Sequence, residues 1–226
     1  PGGPSEATMG TYLARAVPWP LLLAVSGLTL LVVRVLQLDP WTLWPLQGVA
    51  VGLVAGGVGW CLDEPCADVV DTLPRPLAWR TLARLACVGL VLAGWSLAVW
   101  WARDGLFGHA RAVWWQGVAA ALIALAAVTW ARAVGHPTPG RVWAVTIVSG
   151  VTVWSVVRPA ADRLPLLPYA DGRWEASAVL WTALAGSALA VLVLGLLDAR
   201  WWPAHWRAGD HRGSTRGIRR RGRAPA

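Results

Sequence analysis

Runs of apolar residues, each close to the thickness of a bilayer, alternate with short polar connectors along this chain. The runs are Val17–Leu38, Leu43–Leu62, Leu85–Trp101, Ala112–Ala131, Val142–Val157 and Ala176–Leu197. Most approach the roughly 20 residues that cross about 30 Å of hydrocarbon at 1.5 Å per residue. The third and fifth are shorter and are expected to draw on their flanks or to sit where the bilayer thins. None alternates apolar with polar positions in the manner of a strand, so helices must satisfy the backbone inside lipid. The runs are apolar all round rather than on one stripe, which requires lipid as the solvent. The pattern predicts an all-α, polytopic membrane bundle of about six transmembrane helices. It comprises a short N-terminal segment (1–16), a transmembrane domain (17–197) and a basic tail (198–226), expected to be disordered. The first run is long, carries Arg34 near its far end and is followed by no small-x-small cleavage pattern. It therefore reads as a retained helix rather than a signal peptide, and Met9 offers an alternative start.

Tryptophan and arginine sharpen this outline. Of 18 Trp, most fall at run ends, among them Trp19, Trp41, Trp44, Trp60, Trp79, Trp100, Trp101, Trp114, Trp115, Trp130, Trp143, Trp201 and Trp202. Indole favours the headgroup level, where the ring is half buried and its N–H stays wet. Trp95, Trp154 and Trp181 lie deeper and are expected to pack between helices. The chain has 20 Arg and no Lys. With both termini cytoplasmic, 14 Arg fall inside and 6 outside, and eight of the 14 belong to the tail, which decides the orientation. That orientation puts Cys61, Cys66 and Cys87 at cytoplasmic ends, where thiols stay reduced.

The connector from Asp63 to Arg84 is not a plain turn. Asp63-Glu64-Pro65 opens a short helical segment with acids at its positive end and Pro in its first turn. Val69, Val70 and Leu73 are its apolar residues, set against Asp68 and Asp71, and Pro74 and Pro76 end it. A second helical start follows, with Trp79 at the interface and Arg80 and Arg84 one turn apart on one face. Two readings fit equally: an interfacial helix that snorkels its arginines and joins two spans, or a short helix presented to a cytoplasmic subunit. The run Leu62-Asp63-Glu64-Pro65, then Leu73-Pro74-Arg75-Pro76, then Arg80 and Arg84, resembles the cytoplasmic loop of membrane subunits of actinobacterial ABC exporters of the ABC-2 type. The richness in Ala, Arg, Gly and Trp without Lys suits such a high-GC source. That resemblance implies a six-span permease, with a coupling helix after the second span that docks a separate ATP-binding cassette ATPase. It also implies a second membrane subunit, and it makes Asp63, Glu64, Pro65, Asp68, Asp71, Arg75, Arg80 and Arg84 the docking residues.

The second run holds Gly48, Gly52 and Gly56 at four-residue spacing, a small-xxx-small face that lets helices approach closely. In the fifth run Thr146, Ser149, Thr152 and Ser155 form a hydroxyl stripe. Hydroxyls within a span ordinarily bond back to their own helix carbonyls. The alternative, a stripe lining a substrate path, is what the exporter resemblance implies. Leu164-Pro165-Leu166-Leu167-Pro168-Tyr169 is too short and too Pro-rich to span and is expected at the outer interface. The tail arginines, Arg216, Arg219, Arg220, Arg221 and Arg223 among them, are expected to lie on anionic lipid. No folded module accompanies them, so nucleic-acid binding is not expected.

Asp, Glu, Lys and His are missing from the middles of the runs, where Gln47 and Gln116 are the most polar candidates. Ion-coupled transport and intramembrane proteolysis normally need ionisable groups at depth. The chain carries no Walker A, His-Glu-x-x-His or Gly-x-Ser-x-Gly motif. No catalysis, cofactor or metal site is expected of it. The leading expectation is the transmembrane subunit of an ATP-driven exporter. The alternative is a non-transporting scaffold or assembly subunit of a larger membrane complex. A small channel is disfavoured by the lack of charged rings.

Overall fold

The computed structural model of the chain describes residues 17–40, 42–63, 77–136, 138–157, 164–168 and 173–198. Within them the protein is all-helical. Six α-helices follow in order: α1 (Trp19–Leu36), α2 (Leu46–Cys61), α3 (Leu77–Ala102), α4 (Ala110–Ala133), α5 (Pro139–Val156) and α6 (Trp174–Asp198). One 3₁₀ turn, Arg103–Gly105, continues α3. Proline opens α1 and α5 in the first turn, where its missing N–H costs nothing. Gly135, with φ +98°, turns the chain after α4, a conformation that only glycine adopts freely.

Four helices, α1, α3, α4 and α6, are long and apolar enough to cross a membrane. The third apolar run is therefore not short. Arg80 and Arg84 interrupt the hydropathy, but the helix already starts at Leu77 and runs for 26 residues. The short element is α2, whose 16 residues rise only about 24 Å.

The order of contacts fixes the helix directions. Gly48 of α2 meets Ser155 of α5, Gly56 meets Ala144, and Gly59 meets Trp143, so α2 and α5 run antiparallel. Ser26 of α1 meets Gly94 of α3, and Gln37, just past α1, donates to the Trp101 carbonyl at the far end of α3, so α1 and α3 run parallel. Trp115 reaches Thr182 and Trp130 reaches Gly195, so α4 and α6 also run parallel.

At the centre lies α2, which touches α1, α3, α4 and α5. Twelve of its 16 residues are buried. Its glycines are the reason. Gly48, Gly52, Gly56 and Gly59 form a groove that accepts the side chains and backbone of α5, while Gly57 receives Val25 of α1. Apolar tails solvate helices as well as other helices do, so association in lipid depends on close packing of small residues like these. A second lock joins α3 to α4. Trp95 packs closely against Gly117 and donates its indole N–H to the Trp114 carbonyl at 3.0 Å, and Trp114 donates to Ser96 Oγ at 2.9 Å. Trp181 is buried as well, whereas Trp60, Trp100, Trp101, Trp114 and Trp130 keep exposed faces near helix ends. Trp44 differs from them. It is 3% exposed, edge-on to Trp174 at 5.7 Å and beside Phe107, while His109 stacks on Trp174 at 4.2 Å. The outward faces of α1, α5 and α6 are mainly apolar and uncovered, with Leu23, Val142 and Val179 each about 70% exposed. Lipid is the solvent that suits such a surface.

The closest backbone approach joins Gly140 to the Gly59 carbonyl, where an added methyl has no room. At Gly52 the nearest atom to an added methyl is 3.4 Å away, an ordinary contact. Gly140→Ala is therefore expected to destabilise the bundle by about 1–3 kcal/mol, and Gly52→Ala by well under about 1 kcal/mol. Thermal unfolding in detergent, followed by Trp fluorescence, checks the order of the two.

Candidate functional site: polar layers at the two ends of a buried helix

A helix buried at both ends leaves backbone carbonyls and N–H groups that water cannot reach, and each needs a partner. At the C-terminal end a neighbouring helix supplies those partners; at the N-terminal end the Leu43, Trp44 and Pro45 carbonyls of the preceding turn accept the first N–H groups, and a second polar layer lies beside them.

The first layer lies at the C-terminal end of α2. Arg84, 3% exposed on the second turn of α3, donates Nη1 to the Cys61 carbonyl at 2.9 Å and to the Asp63 carbonyl. It caps the end of α2 with a cation, the sign that a helix C-terminus favours. The Asp63 side chain, 5% exposed, turns the other way. Its two carboxylate oxygens accept from the backbone N–H of Gly140 at 2.6 Å and of Arg141 at 2.8 Å, so that Asp63 caps the N-terminus of α5. Arg141 adds an ion pair at 4.0 Å. One residue thus ties the end of α2 to the start of α5, while its own carbonyl is held by α3. Arg80, Thr81, Thr129 and Arg132 complete the layer around a void of about 10 Å³, roughly the space of one water. Arg132 also donates to the His136 carbonyl at 3.3 Å, closing the α4–α5 turn.

The second layer lies at the N-terminal end of α2. Gln47 donates Nε2 to Gln116 Oε1 at 2.6 Å, and Gln116 donates Nε2 to Ser177 Oγ at 3.2 Å. Both glutamines are 1% exposed. The Leu166 carbonyl enters the same cluster and accepts from Trp181 Nε1 at 2.7 Å, Ser177 Oγ at 3.2 Å and Gln116 Nε2 at 3.4 Å. The segment Leu164–Pro168 is therefore seated in the mouth of the bundle. Leu167 is buried there and packs beside Gly48. Gln47 Oε1 is buried without a hydrogen-bond partner.

Of the connector residues singled out in the sequence, the structure brings Asp63, Arg80 and Arg84 together in one buried layer. Glu64, Pro65, Asp68, Asp71 and Arg75 lie outside the described residues, as does Cys66. Asp63 and Arg84 hold the bundle's own helix ends. Gly48, Gly52 and Gly56 face α5 of the same chain. Among the hydroxyls, Thr152 donates to the Val148 carbonyl at 2.6 Å and Ser155 to the Val151 carbonyl at 2.7 Å. Thr146 and Ser149 lie on the exposed side of α5. Cys61 and Cys87 are buried free thiols. Sequence reasoning missed Ser177, Arg132, Gly140 and the Leu166 carbonyl. Only Thr138-Pro139-Gly140-Arg141, a helix start with no acid in its first turn, signalled that the acceptor for α5 must come from elsewhere. No protein-family model matches the chain, and neither curated proteins nor solved structures give a match.

Arg84→Met would leave two buried carbonyls without their cationic partner, and a loss of about 2–3 kcal/mol is expected, against a smaller loss for Asp63→Asn, which keeps one acceptor oxygen. Gln116→Leu should cost about 1–3 kcal/mol by stranding Gln47, and adding Gln47→Leu should recover part of that loss. Unfolding midpoints of the single and double variants, measured side by side, check both statements.

Proposed function

We propose that the chain is a plasma-membrane subunit that receives a push on the connector between α2 and α3 and passes it into the bundle, as the permease of an ATP-driven exporter does. The observation that carries this reading is the anchoring of the connector. It leaves the bundle at Asp63 and returns at Leu77, and both ends are fixed in one layer through Asp63, Arg80 and Arg84. A displacement of residues 64–76 would reach α2, α3 and α5 together, since these atoms join all three helices. The resemblance of the connector to ABC-2 permeases supplies the class of partner, a separate ATP-binding cassette ATPase.

The helix directions support six crossings. If α1 and α3 both cross in the same sense, the chain between them must return across the membrane, and α2 is the return. The same reasoning makes α5 the return between α4 and α6. The arginine-rich tail then orients both termini, and the Asp63 layer, toward the cytoplasm.

Within the described residues the interior is packed and the inward hydroxyls of α5, Thr152 and Ser155, bond to their own helix, so a passage would run between two subunits rather than through one. Thr146 and Ser149, on the uncovered face of α5, are the hydroxyls that would line it. The closed interior also favours a second reading, a non-transporting scaffold that holds other membrane proteins. Co-purification of the C-terminally tagged chain in mild detergent, with mass spectrometry of its companions, separates the two. A stoichiometric ATPase that is lost on deleting residues 64–76, or on Asp68→Arg with Asp71→Arg, is the expected result. Membrane companions without an ATPase, unchanged by these variants, would establish the scaffold.

A further inference from the structure

We infer that the groove between α1 and α3 is a binding site for one anionic phospholipid, with its phosphate on the Arg34 guanidinium and an acyl chain along the two helices. The groove encloses about 240 Å³ beside the last turns of both helices. Ala98 and Ala102, one turn apart on α3 and both buried, line it opposite Leu30, Leu31 and Val33 of α1. From Leu30 to Gln37 it follows the chain for about 10 Å, at 1.5 Å per residue. Its rim is open to the bilayer, since Leu31 and Trp101 are exposed. The groove is not purely apolar. Arg34 and Gln37 are among its own lining residues, and no carboxylate is.

Arg34 is held at the groove rather than left to trail into water. It donates Nη1 to Gln37 Oε1 at 2.6 Å, and Gln37 donates Nε2 to the Trp101 carbonyl at 3.2 Å. These two bonds run from α1 to α3 across the end of the groove and orient the guanidinium beside it. An arginine that merely snorkels keeps its rotamer freedom, so this anchoring is a feature that snorkelling does not require. A guanidinium has five N–H donors and Gln37 takes one, which leaves a fork for two phosphate oxygens. The C-terminal ends of α1 and α3 favour a cation at this place. The nearby acids are engaged elsewhere: Asp39 accepts the Thr42 N–H, and Asp104 pairs with Arg103, which lies over the Trp100 ring. The level also suits a headgroup, because Arg34 is in the last turn of α1 and Trp100 and Trp101 close α3. An acyl chain passes from bulk lipid into an apolar groove with little change of solvent, so discrimination comes from the phosphate. The site does not depend on whether the chain is an exporter or a scaffold.

The test reconstitutes the full chain in vesicles of equal phosphatidylglycerol and phosphatidylcholine, extracts it in mild detergent, and counts retained lipid by native mass spectrometry. One phosphatidylglycerol per chain, preferred over phosphatidylcholine by about fivefold, is expected from one basic residue at a membrane surface. Arg34→Gln, at an exposed position, should abolish this preference. Gln37→Leu keeps the charge but releases the guanidinium, and should lose most of it. The tail leaves α6 near the contact of Gly195 with Trp130, at the end of α4 far from the groove. Neutralising Arg216, Arg219, Arg220, Arg221 and Arg223 should therefore leave the difference between wild type and Arg34→Gln unchanged. Equal counts in wild type and Arg34→Gln, full preference in Gln37→Leu, or a difference that vanishes with the tail's charges would each overturn the site. Displacement of the lipid by excess inorganic phosphate would overturn the assignment to lipid. If Gln37→Leu does not fold, Arg34→Lys, which keeps the charge and loses the fork, is read in the same way.

Discussion

The hydrogen bonds from Arg84 to the end of α2 are the constraint on which the bundle depends. α2 has only 16 residues, and its last turn ends inside the bundle at the buried Cys61. Its last carbonyls would otherwise face an apolar interior, where an unpaired polar group costs several kcal/mol. Arg84 meets that need only because α3 starts early, at Leu77, and runs beside the C-terminus of α2. The same early start draws Arg80 into the layer and sets where the connector returns to the bundle. Asp63 completes the arrangement by offering the first turn of α5 the negative charge that its own sequence lacks.

Between the two layers the chain relies on contact rather than polarity. The glycine groove of α2 lets α5 come close enough for backbone to touch backbone at Gly59 and Gly140. Dispersion contacts of that kind are weak singly and add up along the length of the groove. A longer or bulkier α2 would lose either the groove or the capped ends, so its shortness and its glycines belong to one solution. The apolar outer faces of α1, α5 and α6 carry no such detail, as expected of surfaces whose neighbour is fluid lipid.

Much of this was legible in the sequence. The apolar runs mark all six helices, and the small-residue spacing of Gly48, Gly52 and Gly56 marks the packing face, because both signals are periodic and local. Gln47 and Gln116 stand out as the polar residues of the interior, though not that they pair. What stayed hidden depends on partners distant in the chain. Asp63 sits 77 residues before Gly140, and nothing near either one announces the contact. Arg80 and Arg84 lower the local hydropathy, so a helix that begins at Leu77 looks as if it begins at Leu85. Trp44 reads as an interface anchor by position, yet Trp174 and Phe107 enclose it, and both arrive from connections that hydropathy does not describe.

The seat of Leu164–Pro168 has one more implication. Its Leu166 carbonyl is shared by donors from α4 and α6, at Gln116, Ser177 and Trp181, and no single donor holds it alone. Losing one bond leaves the others to keep the segment in register, so small fluctuations do not loosen it by degrees. Departure requires α4 and α6 to give up the carbonyl together, with Leu167 leaving its place beside Gly48 at the same time. The segment closes the mouth as a bound part of the fold, held from two helices at once.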